Sequence, residues 1–171
     1  MKKIIISVVA ILVVMTAIFY LILKKNPKAE TVAAPVATTA TNDIPQLHLT
    51  QLDGTKLMSK DLKGKVAFVF FQPDCDHCQR EAVQIREHIN AFNDYQVYFV
   101  SDAELPQLRK FAQDYGLAES SNFYFAHIPT NDIFDTVGSI PTPSMYVFSE
   151  HGRLVNSFIG ETAIEEILKY L

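Results

Sequence analysis

Cys75 and Cys78 are the chain's two cysteines, and they stand within Phe70-Phe71-Gln72-Pro73-Asp74-Cys75-Asp76-His77-Cys78-Gln79-Arg80-Glu81. Residues three apart on a helix share a face and approach to disulfide range, so this pair can cycle between dithiol and disulfide. An apolar run from Val66 to Phe71 precedes the pair, and apolar residues recur after it at Ala82, Ile85, Ile89 and Phe92. The cysteines therefore belong to a strand-to-helix junction. Cys78 heads the apolar stripe and is expected to face the core, while Cys75 caps the exposed helix tip. Unpaired N–H groups and the positive end of the helix dipole favour an anion there. Cys75 is accordingly expected to be rich in thiolate and to act as nucleophile, and Cys78 to resolve the mixed disulfide.

The neighbours of the pair offer tuning and proton transfer. An imidazolium at His77 would stabilise the thiolate and make the disulfide more oxidising, and Asp76 pushes the other way. Glu81 lies one helical turn beyond Cys78, within reach to take or supply the proton when Cys78 attacks. Asp74 reads as a turn residue after Pro73. A structural zinc site wants four ligands, and no second Cys/His cluster accompanies the pair, so no metal is expected. Gln79 stands where a c-type haem attachment needs histidine. His48, His88, His127 and His151 are scattered singly, and of these His127 alone fits a metal hypothesis, because it follows the apolar Phe123-Tyr124-Phe125.

The elements that must position these residues can be read from about Ile44 to Leu171. Leu47 to Leu57 has the pattern of a short hairpin turning at Asp53-Gly54. Val66–Phe71 is continuously apolar, as a strand buried on both faces is, and Val97-Tyr98-Phe99-Val100 is a second such strand. With the cysteine helix between them they make a βαβ unit. A helix follows with Leu108, Phe111, Ala112 and Tyr115 on one face and Gly116 as its stop. Phe123–Phe125 suggests a short strand and Asp132–Val137 a helical turn. Met145–Phe148 and Leu154–Ile159 flank the turn Glu150-His151-Gly152. Thr162-Ala163-Ile164-Glu165 then has the form of a capping box opening a last helix, with Ile164, Ile167, Leu168 and Leu171 as its buried face.

With 171 residues, 49% of them apolar, and a formal charge of −4, the chain has the length of one ordinary domain plus appendages. The mild acidity gives no reason to expect a nucleic-acid partner. Ile4 to Leu23 carries no charge over twenty residues and lies between Lys2-Lys3 and Lys24-Lys25, the length of a membrane-spanning helix. Residues 1–25 thus read as a signal anchor. A cleaved signal peptide would have an apolar region of about 7–15 residues followed by an Ala-x-Ala-like site. Lysines balance across the span, and an anchor is useful to a thiol enzyme outside the cytosol. The expected location is the cell membrane, single-pass, with the catalytic domain extracytoplasmic. Residues 26–43, rich in Ala, Thr and Pro, are expected to form a tether, and 44–171 the folded domain.

A βαβ half, then a ββα half, with a redox-type Cys-x-x-Cys opening the first helix, resembles the thioredoxin-like superfamily. Within it the chain is most similar to the TlpA/ResA-like, membrane-anchored, extracytoplasmic thiol-disulfide oxidoreductases. The points of likeness are the leading hairpin, Leu62-Lys63-Gly64-Lys65 before the central strand, Cys75-Asp76-His77-Cys78, Glu81, and Thr142-Pro143 before a strand. Members often carry tryptophan before the first cysteine and proline soon after the glutamate, where this chain has Asp74 and Ala82-Val83.

That resemblance implies an α/β thioredoxin-like fold, a central mixed sheet flanked by helices with an N-terminal β-hairpin extension, preceded by a single transmembrane helix. It implies an active-site role for Glu81 and a cis-proline facing the cysteines. Pro141 and Pro143 compete for that place, and counting back from Gly152 selects Thr142-Pro143, which would dock a substrate strand. The implied protein uses a redox-active disulfide, Cys75–Cys78, without a bound cofactor. It would reduce cysteine pairs of exported proteins, fed by a membrane electron carrier, in a setting such as cytochrome c maturation. The alternative is a copper-binding assembly factor holding the ion on Cys75, Cys78 and a distant histidine such as His127. A peroxidase fits less well, because the threonine-led nucleophile loop of peroxiredoxins is absent before Cys75.

Overall fold

The computed structural model describes residues 42–171, together with Met15 and Thr16. Apart from Met15 and Thr16, the Ile4–Leu23 span lies outside the described residues, as does almost all of the 26–43 tether. Among the described residues no helix is long and apolar enough to cross a membrane.

Seven strands form one sheet: β1 (His48–Gln51), β2 (Lys56–Met58), β3 (Lys65–Phe70), β4 (Tyr95–Ser101), β5 (Phe123–His127), β6 (Ser144–Phe148) and β7 (Leu154–Ile159). Their spatial order is β2-β1-β5-β4-β3-β6-β7. β3, β4 and β5 run parallel, with Val69 opposite Phe99 and Phe99 opposite Phe125. β6 lies antiparallel against β3, β7 against β6, and β1 against both β5 and β2. Among described residues 42–171, four α-helices complete the order: α1 (Asp76–Glu87), α2 (Leu105–Asp114), α3 (Thr130–Thr136) and α4 (Ile164–Ile167).

β3 is apolar at every position from Val66 onward because it is central and covered on both sides. Side chains alternate across a strand, and two cores result. Ala67, Val69 and Phe71 join one core, with Ala82 and Ile85 of α1, Leu108 and Phe111 of α2, and Ile164 and Ile167 of α4. Val66, Phe68 and Phe70 join the other, with Ile44, Leu47 and Leu49, against which Ile133, Val137 and Ile140 pack. Phe71 is enclosed by the rings of Phe99, Phe111 and Phe125 at centroid distances of 5.4, 4.6 and 6.2 Å. Burying such rings supplies apolar stabilisation and fixes the end of β3 where the cysteine turn begins.

Two local expectations are revised. The helix after Thr162 is one turn long and has no capping box: its N-cap is Ala163, with no side-chain cap. Thr162 is used otherwise, its hydroxyl donating to Gly160 O at 3.1 Å and its N–H to Glu81 Oε2 at 3.4 Å. The exposed N–H of Ile164 is met by a side chain of a different helix, Gln84 Oε1 of α1, at 3.0 Å. The stripe Cys78–Phe92 is likewise broken, since α1 ends at Glu87 and a separate 3-10 turn, Ile89–Phe92, carries Phe92 into the core.

Candidate functional site

The turn leaving β3 is tied down by its own backbone and side chains. Cys75 N–H donates to Gln72 O at 3.2 Å, and Gln79 Nε2 donates to Pro73 O at 2.9 Å. These bonds hold Cys75 as the N-cap of α1, where its sulfur accepts the N–H of Cys78 at 3.3 Å. An orphan donor of the helix terminus is thereby satisfied by sulfur in the place usually taken by an oxygen. Both cysteines are free thiols, Cys75 partly exposed and Cys78 buried at 2% exposure.

Burial separates the two chemically. Loss of solvent, reinforced by the hydrogen bond with Cys75, pushes the Cys78 thiol up to about 12. Cys78 therefore needs a proton acceptor before it can attack. The opposite wall of the site is the loop before β6, where the Thr142–Pro143 peptide is cis. The Cys75 thiol points at Thr142 O, 3.7 Å away. Pro143 is buried, and its carbonyl already accepts Gly160 N–H at 2.9 Å.

Glu81 is the third member. It lies on the inner face of α1 with Cys78, Ala82 and Ile85, and is 2% exposed. Oε2 accepts the N–H of Thr162, while Oε1 is buried with no partner among the described residues. Desolvation raises its carboxyl to about 7; the Thr162 N–H opposes the rise and the negative charge of Glu161 adds to it. A carboxyl that titrates near neutrality, buried beside a thiol that must lose a proton, is equipped for acid–base work. Glu81 makes no hydrogen bond to either sulfur, so a proton passing between them crosses a gap.

The remaining expected residues separate from the pair. Asp76 is exposed in the first turn of α1. His77 is exposed and its Nδ1 faces Glu161 Oε2. Arg80 joins the same carboxylate through Nε at 2.7 Å and Nη2 at 2.6 Å. Arg80 first, then His77, hold Glu161 down at about 2. His127 ends β5, two strands from β3, with Nδ1 3.1 Å from Ala103 O. Among the described residues no group of three or more His, Cys, Asp or Glu is placed to hold a metal ion.

Sequence reasoning passed over Arg80 and Glu161, and also Gln72 and Asp102, whose side chains meet at 2.5 Å. The signal was present for Asp102. It directly follows β4, and the carboxyl ends of parallel strands are where such sheets place their ligands. Glu81's place one helical turn from Cys78 was legible, and its burial was not.

A seven-stranded mixed sheet with a Cys-x-x-Cys at the N-terminus of the helix after its central strand, faced by a cis-proline loop, defines a thioredoxin-like α/β domain with a dithiol site. The chain belongs to the AhpC/TSA family, whose model matches residues 40–157. It is 29% identical over 133 residues to the thiol-disulfide oxidoreductase ResA of Bacillus thuringiensis strain Al Hakam, covering 75% of each chain. Among solved structures it is similar in fold to a secreted Mycobacterium tuberculosis disulfide oxidoreductase homologous to the Escherichia coli protein DsbE. That match has a TM-score of 0.62 at 17% identity, over 73% of this chain and 93% of the other. The Arabidopsis thaliana protein ScoI with copper bound matches with a TM-score of 0.59 at 15% identity, over 73% of this chain and 92% of the other.

Proposed function

We propose that this protein is a thiol:disulfide oxidoreductase acting on cysteine pairs of other exported proteins, held at the extracytoplasmic side of the membrane by Ile4–Leu23. The observation that carries the reading is the asymmetry of the dithiol. One sulfur caps a helix and faces the Thr142 carbonyl, and the other is buried and held protonated. The ResA name of its relatives agrees with that chemistry.

In the reductive direction the Cys75 thiolate attacks one sulfur of a substrate disulfide, and the other substrate sulfur leaves as thiolate. Cys78 then loses its proton, with Glu81 as the acceptor, and attacks Cys75. The second substrate thiol is released and the Cys75–Cys78 disulfide remains. Two electrons have passed to the substrate, to be replaced by a membrane electron carrier. The backbone that Thr142-Pro143 offers to an extended substrate is that of Thr142, whose carbonyl faces Cys75 Sγ. Cytochrome c maturation is one process that consumes such reduced pairs.

The copper reading rests on a cysteine pair with a distant histidine, and the ScoI likeness, at 15% identity, adds only the fold. His127 here is engaged with Ala103 rather than turned to the sulfurs, and the oxidoreductase reading accounts for Glu81 as well.

Trapping decides the matter. Cys78→Ser should accumulate mixed disulfides with exported proteins, separable on non-reducing gels, and Cys75→Ser should accumulate none. Equal trapping by both variants would sink the assigned roles. The reduction potential of the pair then gives direction: a value near that of thioredoxin, about −270 mV, means reductase, and one near that of DsbA, about −120 mV, means oxidase.

A further inference from the structure

Thr142 borders a second feature that the dithiol chemistry does not use. Beside it lies a cavity of about 160 Å³ between the ends of β3 and β4 on one side and α3 with the 138–142 loop on the other. Its polar side is built around Asp102. One carboxylate oxygen accepts Gln72 Nε2 at 2.5 Å, and the other accepts the hydroxyl of Thr130 at 2.7 Å. Gln72 is braced in turn by the buried Ser101, whose hydroxyl donates to Gln72 Oε1 at 3.2 Å. Its apolar side is Ile133, Ile140 and Phe134, the last with 57% of its surface exposed.

Three properties of this cavity select an occupant. The first is charge. The Gln72 hydrogen bond, followed by that of Thr130, keeps Asp102 below the usual carboxylate range, so the site stays anionic. Among the described residues no lysine or arginine pairs with it. Each carboxylate oxygen has a lone pair beyond the bond it already accepts. The second is the aromatic lip, since a cation is attracted to the face of a ring such as Phe134. The third is size. Small-molecule sites run to about 300–1,000 Å³, and a cavity about half the lower figure suits a single side chain.

Position adds the register. Thr142 both lines the cavity and presents its carbonyl to Cys75 Sγ. On an extended strand, residues two apart face the same way, roughly 7 Å from each other. A substrate cysteine over Cys75 therefore places the side chain two positions away over the cavity mouth.

We infer that the Asp102–Phe134 cavity is a specificity subsite that takes a basic side chain, arginine or lysine, two residues from the reacting cysteine of a substrate polypeptide. The inference rests on the oxidoreductase reading and adds a substrate class to it. Guanidinium and ammonium groups match the carboxylate through charge-assisted hydrogen bonds while their stems cover Ile133 and Ile140.

The test uses the full-length reduced protein and homodisulfides of short peptides that differ only two residues either side of the cysteine: arginine, alanine or glutamate. The arginine peptide should be reduced about tenfold faster, as kcat/KM, than the glutamate peptide at low ionic strength, and the ratio should shrink with added salt. In Asp102→Asn the ratio should collapse to within about twofold. The readout is a ratio, so a general loss of activity does not imitate it. Should Asp102→Asn fail to fold, Phe134→Ala carries the same test from an exposed position and should lower the arginine preference. A preference unchanged in the folded variant overturns the subsite. Equal rates for all three peptides, with 2-hydroxyethyl disulfide still reduced, overturn the subsite and leave the oxidoreductase reading standing. Failure of the wild type to reduce any disulfide, the hydroxyethyl compound included, overturns both.

Discussion

Glu81 is expensive to keep ionised, and that cost is measurable. Its carboxyl is raised from an ordinary 4.5 to about 7 by burial, so between those values the native state binds more protons than the unfolded chain. Stability therefore falls as pH rises across that interval and levels off above it. A shift of that size corresponds to about 3 kcal/mol at full extent. Glu81→Gln removes the charge and keeps a group for Thr162 N–H to meet. The variant should match the wild type near pH 4 and exceed it by up to about 3 kcal/mol near pH 8, read by denaturant unfolding at both values. A gain independent of pH would show that the carboxyl is not the titrating group. The same variant should resolve mixed disulfides roughly 10²-fold more slowly, because Cys78, held near 12, loses its proton acceptor. Attack by Cys75 should be almost unchanged in stopped-flow. Greater stability with slower chemistry is what an acid–base group held in an unfavourable setting is expected to give.

At the scale of elements, the first helix and the segment after β7 (Leu154–Ile159) form one unit. Arg80 and His77 on the outer side of α1 (Asp76–Glu87) hold Glu161, and on the inner side Glu81 holds the next residue, Thr162. Gln84 adds a bond to Ile164 N–H. The exposed ion pairs contribute little stability by themselves. Their effect is on the active site, because the charge of Glu161 raises Glu81. Glu161→Gln keeps oxygen and nitrogen where Arg80 and His77 reach them and deletes that charge. The pH at which disulfide resolution reaches half its maximum should then move down, with little change in melting temperature. A move upward would mean instead that the substitution had loosened Thr162 from Glu81.

For the whole molecule the property to test is attachment. Ile4–Leu23 has the length and the flanking lysines of a spanning helix, and the proposed function has it hold the dithiol domain at the extracytoplasmic side. The full chain should stay with the membrane fraction after alkaline carbonate and high-salt washes, detected by immunoblot. Release as a soluble species beginning between Ala29 and Ala40 would mean a cleaved leader and a secreted enzyme. Under the proposed function, tethering would confine the domain near a membrane carrier and raise the local concentration of its reductant without any new contact.

The sequence by itself determined the parts of this protein that depend on short-range pattern. Continuous apolar runs marked β3 (Lys65–Phe70) and β4 (Tyr95–Ser101), the 3.6-residue stripe marked α1, and the spacing of Cys75 and Cys78 placed one thiol at the helix cap and one in the core. Thr142-Pro143 was legible by its distance from the Gly152 turn. What only the tertiary structure decided depends on residues far apart in the chain. Glu81 could be seen near Cys78, but its burial against Thr162 and the resulting rise to about 7 came from a loop 81 residues away. Thr162 looked like a helix cap because that motif is local, and lost the role because Glu81 and Gln84 offered longer-range partners. The Gln72–Asp102–Thr130 group unites two loop residues and the first residue of α3 (Thr130–Thr136), separated by 30 and 28 positions. No periodicity in a single strand or helix encodes such a meeting, because it is the pairing of β3, β4 and β5 (Phe123–His127) in one parallel sheet that brings their carboxyl ends together.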